Sequence, residues 1–166
     1  MQVVNDLEKL LVEQFAKVPF HLPAGARKWL GENAWWLVIV GIVLSMLAVV
    51  GALQTLLWAQ NLASMYGVVV PRSAMADIGL WVSVAVFVVT IIIEAKAVTP
   101  LRLKQKKGWD LIFLATLISL VGSLVTGVLS GSVVGSLFGV VLGVAIGGFF
   151  LYEVHGEFTD KKVSRK

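Results

Sequence analysis

Apolar residues occur in a few long stretches along this chain, and charged residues are confined to the segments between them. The longest stretch runs from Trp109 to Glu153. Its only charged residues are Asp110, near its start, and Glu153 at its end. One helix of that length would measure ~67 Å, about twice the thickness of the hydrocarbon core of a bilayer. The stretch is therefore predicted to fold back at its midpoint, where Ser130, Gly131 and Ser132 have the chemistry of a hairpin turn.

The pattern predicts an all-α polytopic membrane protein with four transmembrane helices in a bundle. The predicted spans cover about residues 34–58, 76–94, 109–129 and 133–153, which together form one transmembrane domain, 34–153. An interfacial cytoplasmic segment, 1–33, precedes this domain, and a basic cytoplasmic tail, 154–166, follows it. Pro100 is expected to break any continuation of the second helix.

Residues 3–18 are predicted to form an amphipathic helix, because apolar residues recur there at steps of three and four. Pro19 and Pro23 follow it and are expected to end it. Two interpretations stay open: the helix lies on the membrane surface or docks on the bundle, or it binds a partner protein.

Small residues recur at every fourth position from Ser119 to Gly147, a pattern typical of helices that pack closely inside a bilayer. Apart from Gly131 in the predicted turn, the expected packing positions are Ser119, Ser123, Gly127, Gly135, Gly139, Gly143 and Gly147. The stripe suits either packing of the last two spans against each other or homo-oligomerisation. Because four residues overshoot one helical turn, the stripe favours a right-handed crossing.

The distribution of basic residues predicts that both termini are cytoplasmic in a cell membrane. With four spans, 13 of the 14 Lys and Arg residues fall on the side of the two termini. The loop between the second and third spans contributes five of them, which could also hold anionic lipid headgroups: Lys96, Arg102, Lys104, Lys106 and Lys107.

Composition excludes several classes of function. Cysteine is absent, which removes disulfides, iron–sulfur centres and thiolate zinc sites. The chain is 58% hydrophobic and 14% charged, so no separate soluble domain is expected. His21 and His155 are interpreted as isolated imidazoles, and neither a metal nor a cofactor is expected. The basic segments lack interleaved aromatic residues, so no nucleic-acid partner is expected.

No span has an ionisable residue near its centre, which disfavours ion-coupled transport. Glu94 is the deepest such residue. It is expected either to reach the interface or pair with Lys96 or Arg102, or to act as a gate or proton acceptor. An intramembrane enzyme is disfavoured, because only four polar residues could cluster at one depth: Gln54, Gln60, Asn61 and Asp77.

Three further features carry a resemblance. Prolines precede Trp35 and Trp36, the third span begins with Lys106-Lys107-Gly108-Trp109-x-Leu111-x-Phe113, and the last hairpin is glycine-rich. With the amphipathic N-terminal helix, these features resemble a group of small four-span inner-membrane proteins of bacteria, including small-genome lineages. The resemblance implies a bacterial cytoplasmic membrane and supplies no catalytic or ligand residues.

The sequence therefore predicts a non-enzymatic integral membrane protein that acts as a structural or accessory subunit and self-associates through the Gly/Ser stripe. Its expected partners are membrane lipids, further copies of itself and other membrane proteins. The alternative is an oligomeric channel or a conduit for a small solute or lipid.

Overall fold

The structure, a computed structural model, describes residues 2–67 and 74–158, with the side chains of all of these except 2–5, 52, 55, 56, 59, 76 and 77. Five helices form this part of the chain: α1, Gln2–Phe15; α2, Ala24–Met65; α3, Ala74–Arg102; α4, Lys106–Leu129; and α5, Val133–His155. Helices α2 to α5 are each long and apolar enough to cross a membrane. They pack as a bundle preceded by α1, which confirms the predicted fold class.

Helix α2 begins immediately after Pro23, well before the predicted first span, and ends at Met65. Its 42 residues correspond to ~63 Å of continuous helix. Among the residues whose side chains are described, its candidate membrane span is Ala24–Gly51. Gln60 and Asn61 are exposed in its last turns, so the helix is polar again where it leaves the apolar region.

The prediction that Pro100 breaks the second helix is wrong, because α3 continues through Pro100 to Arg102. A proline lacks one N–H group, so only the carbonyl group of Lys96 loses its helical partner here. The helix ends two residues later, at Arg102. Beyond this end the N–H of Gln105 donates to the carbonyl oxygen of Pro100 at 2.9 Å, and Lys104 has φ +53°. Pro100 therefore shapes the end of α3 without preventing the helix.

Helices α3 and α4 form the most extensive contact of the bundle, and glycines set their separation at three levels. At each level a methyl group added to the glycine would come within 3.3 Å of the facing residue. The facing pairs, from one end to the other, are Gly108 with Leu101, Gly122 with Val86, and Gly79 with Leu129. Together they define the antiparallel register of the two helices.

The connection between α4 and α5 is a Schellman turn. The N–H of Ser132 donates to the carbonyl oxygen of Gly127 at 2.9 Å, and the N–H of Gly131 donates to that of Val128 at 3.2 Å. This pattern needs a left-handed residue at Gly131, whose φ is +71°. Ser130, Gly131 and Ser132 are the only residues between the two helices.

The two ends of the bundle differ. We call the end with α1 and the last turn of α5 the terminal end, and the end with Gly131 the hairpin end. The buried hydrophobic core lies at the terminal end and consists of Ala97, Leu101, Trp109, Phe113, Leu151 and Phe158. Helix α1 ends at Phe15, before Pro19, and docks on α5 with Phe15 against Gly148.

Candidate functional site

The terminal end carries two buried carboxylates, and the first is Glu153 in the last turn of α5. Its side chain is fully buried. Nδ1 of His21 lies 2.9 Å from its Oε1 atom, and the backbone N–H of Leu22 donates to its Oε2 atom at 3.2 Å. Nε of Arg27 lies 3.7 Å from the same Oε2 atom. Glu153 therefore attaches both the α1–α2 connection and the first turn of α2 to α5.

The second carboxylate is Glu8 on α1. Its Oε1 atom lies 2.8 Å from Nε2 of His155 and 3.0 Å from Nζ of Lys106. Burial acts to raise the pKa of Glu8, but the hydrogen bonds and charges of His155 and Lys106 together outweigh it and lower the pKa below its ordinary value of 4.5. Glu8 therefore remains ionised and joins α1 to both α4 and α5.

Aromatic rings surround these ion pairs. The indole N–H of Trp109 donates to the carbonyl oxygen of Leu151 at 2.9 Å. The Trp109 ring stacks on Phe113 at 5.1 Å and meets His155 edge to face at 4.8 Å between ring centroids. The packing holds the imidazole of His155 in place beside Glu8.

A cleft of ≈ 520 Å³ lies between α1, the start of α2 and the end of α5. Its polar lining includes Arg27, Glu153 and Glu157. In the part of the chain that the structure describes, no three His, Asp or Glu residues are grouped so that they could hold a metal ion. The chemistry that this end supports is ion pairing between helices.

The interpretation of His21 and His155 as isolated imidazoles is wrong, because each lies beside a glutamate. Their partners are 132 and 147 residues away in the chain, so no local spacing could reveal them. A usable signal did exist: Glu153 is a carboxylate at the end of a wholly apolar stretch, where a partner is required if the group is buried.

The basic loop is partly occupied by contacts within the chain. Arg102 lies 5.6 Å above the ring of Trp35, and Nζ of Lys104 lies 3.5 Å from Oε1 of Glu32. Lys106 pairs with Glu8, as described above. The remaining two residues of the predicted lipid-binding set, Lys96 and Lys107, are exposed. No ion pair joins Glu94 to Lys96 or Arg102 among the described residues, so the pairing expected for Glu94 does not form.

The small-residue stripe is divided between contact and exposure. Gly127 packs against Ser136, and a methyl group added at Gly143 would lie 3.4 Å from Leu120. Around Gly139 and Gly147 the same test finds no atom within 4 Å. The remaining members are exposed: Ser119, Ser123 and Gly135. On α5, Gly139 and Gly147 are thus open in the single chain, whereas a methyl group added at Gly135 would lie 3.1 Å from Ser132.

Three of the four polar residues considered for an intramembrane enzyme have described side chains. Gln54, Gln60 and Asn61 are exposed on α2. Asp77 lies at the start of α3, and its side chain is outside the described set. The basic residues after Phe158, which contributed to the predicted orientation, lie outside the described residues.

No family model, no curated protein and no solved structure matches this chain.

Proposed function

We propose that the protein is a non-enzymatic subunit of an assembly in a cell membrane. It self-associates through the glycine face of α5, which contains Gly139 and Gly147. One observation carries this proposal: Gly139 and Gly147 are open in the single chain, whereas the close helix contacts inside it use other glycines. Small residues allow two helix backbones to approach closely, and the resulting van der Waals packing is one source of attraction between helices in lipid. An open glycine face on α5 is therefore suited to a second helix.

The ion-paired terminal end supports a structural role. Glu8 and Glu153 attach α1 and the start of α2 to the last turn of α5, so their side chains are used for holding the chain together. Basic residues concentrated at this end favour a cytoplasmic location for both termini. The exposed Lys96 and Lys107 are then available to anionic lipid headgroups.

The test compares Gly139→Leu with Val141→Leu on the opposite side of α5. Both variants add apolar volume at exposed positions, but only the first blocks the glycine face. We expect Gly139→Leu to shift the purified protein to monomers in light scattering, with monomer thermal stability unchanged, and Val141→Leu to keep the oligomer. If Gly139→Leu keeps the wild-type mass, the proposal is wrong.

The alternative, a channel or conduit, is favoured by hydroxyl groups that line a groove between α3 and α4. Purified protein in liposomes should then release a trapped ion or dye in proportion to its amount. If the vesicles release neither ion nor dye under voltage and tension, the result would count against a conduit and leave the structural proposal in place.

A further inference from the structure

A groove that contains several hydroxyl groups runs along the contact between α3 and α4, from the hairpin end toward the middle of the bundle. It consists of two cavities, of ≈ 380 Å³ and ≈ 160 Å³, which share Ser83 and Thr126 in their linings. The outer cavity reaches Ser130 in the turn, and the inner cavity reaches Thr90 and Ser119. We call these two adjacent cavities the hydroxyl groove.

The hydroxyl groups of the groove present acceptors to whatever occupies it. Thr90 Oγ1 donates to the carbonyl oxygens of Val86 and Phe87 on its own helix, at 3.1 and 2.9 Å. Thr126 Oγ1 does the same toward Gly122 at 2.9 Å. A hydroxyl group has one donor and two lone pairs, so these oxygens can still accept hydrogen bonds. A donor-rich occupant such as water or an ammonium group fits this lining.

The size of the groove and the hydroxyl groups in its lining favour water over lipid chains. Each cavity is several times larger than the ~30 Å³ that a water molecule occupies in the liquid, and each offers several polar partners. A third cavity, on the other side of the same helix contact, serves as an internal comparison. It has ≈ 330 Å³, is lined by residues such as Val82, Leu117 and Val121, and contains no hydroxyl group. Lipid chains suit this third, apolar cavity.

A carboxylate lies beyond the inner end of the groove. Glu94 follows Thr90 by four residues and therefore lies on the same face of α3, one turn farther from the hairpin end. It forms no ion pair among the described residues, and its side chain is only partly exposed. The buried hydrophobic core around Leu101 and Trp109 lies at the terminal end, beyond Glu94.

We propose that the hydroxyl groove is a hydrated vestibule, open at the hairpin end, that admits small monovalent cations and leads them to Glu94. Hydroxyl oxygens replace part of the hydration shell of the cation, and the carboxylate supplies the charge. The groove lies within a single chain, so this inference does not depend on self-association through α5.

The absence of cysteine makes the groove directly testable. Ser119→Cys places a thiol in the inner cavity, and Val121→Cys places one two residues away on an exposed apolar face. Both variants, in lipid nanodiscs, are treated with membrane-impermeant methanethiosulfonates that carry a trimethylammonium or a sulfonate group. Because thiols react as thiolates, which need water, Ser119→Cys should react roughly tenfold faster than Val121→Cys.

The charge of the reagent tests the role of Glu94. We expect the ammonium reagent to label Ser119→Cys about tenfold faster than the sulfonate reagent, relative to free cysteine, and Glu94→Gln to remove this preference. Ser83→Cys, in both cavities, provides a second position if Ser119→Cys does not fold. Equal labelling of Ser119→Cys and Val121→Cys would overturn the proposal, as would a preference that survives Glu94→Gln. Unlabelled Ser119→Cys that oxidises to a disulfide dimer would instead place a second copy in the groove.

Discussion

Two tryptophans illustrate the difference between the ends of the molecule. Trp109, at the terminal end, is 1% exposed and has a hydrogen-bond partner for its indole N–H. Trp81, at the hairpin end, is 72% exposed. The same side chain is thus a core residue at one end and a surface residue at the other, where an amphipathic ring suits the membrane interface.

The difference extends to the forces that hold the helices. At the terminal end, buried glutamates pair with basic groups and large rings fill the space between helices. At the hairpin end, the helices are held by one tight turn and by close contacts of glycines with facing residues, such as Gly79 with Leu129. The comparison teaches that this chain specifies its structure at one end with directional contacts, and leaves the other end accessible to lipid, water or another chain.

The largest expected effect separates the two tryptophans. Trp109→Ala removes a buried ring and should destabilise the protein by about 3–5 kcal/mol. Trp81→Ala, the matched control, should change stability by less than about 0.5 kcal/mol because its ring has few partners within the chain. Unfolding in mixed micelles with increasing dodecyl sulfate measures both. Equal losses in the two variants would remove the distinction between the ends.

Glu153→Ala is expected to cause the second largest loss of stability. It leaves the N–H of Leu22 without its acceptor and separates α5 from Arg27. The expected loss is about 1–3 kcal/mol, because the basic partners are partly exposed and regain water. Glu157→Ala, on the next turn of the chain, is the control. The same unfolding assay decides, and a silent Glu153→Ala would show that the buried carboxylate contributes no net stability.

Adjacent glycines test the docking of α1. A side chain at Gly148 would meet the ring of Phe15, since a methyl group there would already lie 2.9 Å from it, whereas Gly147 has open space. Gly148→Leu should therefore displace α1 and increase tryptic cleavage at Lys17 several-fold, a cost of about 1–3 kcal/mol for overpacking. Gly147→Leu should be cleaved at Lys17 at the same rate as the wild type. Similar cleavage of both variants would place α1 elsewhere.

Acid should release α1 through Glu8. The pKa of Glu8 is lowered in the folded protein, so its contribution to stability is present above the ordinary value of 4.5 and is lost as the pH falls through the lowered pKa. Cleavage at Lys17 by an acid-tolerant protease should therefore rise as the pH falls below 4.5. Glu8→Gln should remove this step by raising cleavage at neutral pH. If cleavage of Glu8→Gln rises on acidification as much as cleavage of the wild type, the rise is due to a group other than Glu8.

The smallest effect concerns the hydroxyl groove. Thr126→Val keeps the shape of the side chain and removes a hydroxyl group that donates within its own helix. We expect a stability change of about 0.6 kcal/mol or less, the usual size for such bonds in membrane helices. Labelling of Ser83→Cys in the same chain should nevertheless slow, because one acceptor for water is lost. A large loss of stability would make Thr126 a packing residue of the kind found at the terminal end.

Sequence reasoning succeeded where a local physical limit applies. Bilayer thickness forced the stretch from Trp109 to Glu153 to contain two helices, and the structure ends α4 at Leu129 and begins α5 at Val133. The bundle of four membrane-length helices followed from the same limit. The extension of α3 through Pro100 could not be predicted in this way. The cost of a proline depends on its distance from the helix end, and no local pattern gives that distance.

Contacts between distant parts of the chain were beyond the sequence. His21 and Glu153, or Glu8 and His155, meet only because α1 returns to the end of α5. The glycines that set the spacing of α3 and α4 were also missed, because Gly79, Gly108 and Gly122 lie outside the four-residue stripe. The stripe identified glycines by spacing, whereas contact depends on which face each helix turns to its neighbour.

The three-residue turn between α4 and α5 bears on how the protein reaches its membrane. No charged residue occurs between Asp110 and Glu153, and the connecting segment contains only serine and glycine. Moving a charged side chain through a bilayer is expensive, but this pair of helices requires no such step for its tip to cross. The hairpin can thus enter the bilayer as one preformed unit during biosynthesis, with its backbone groups already satisfied.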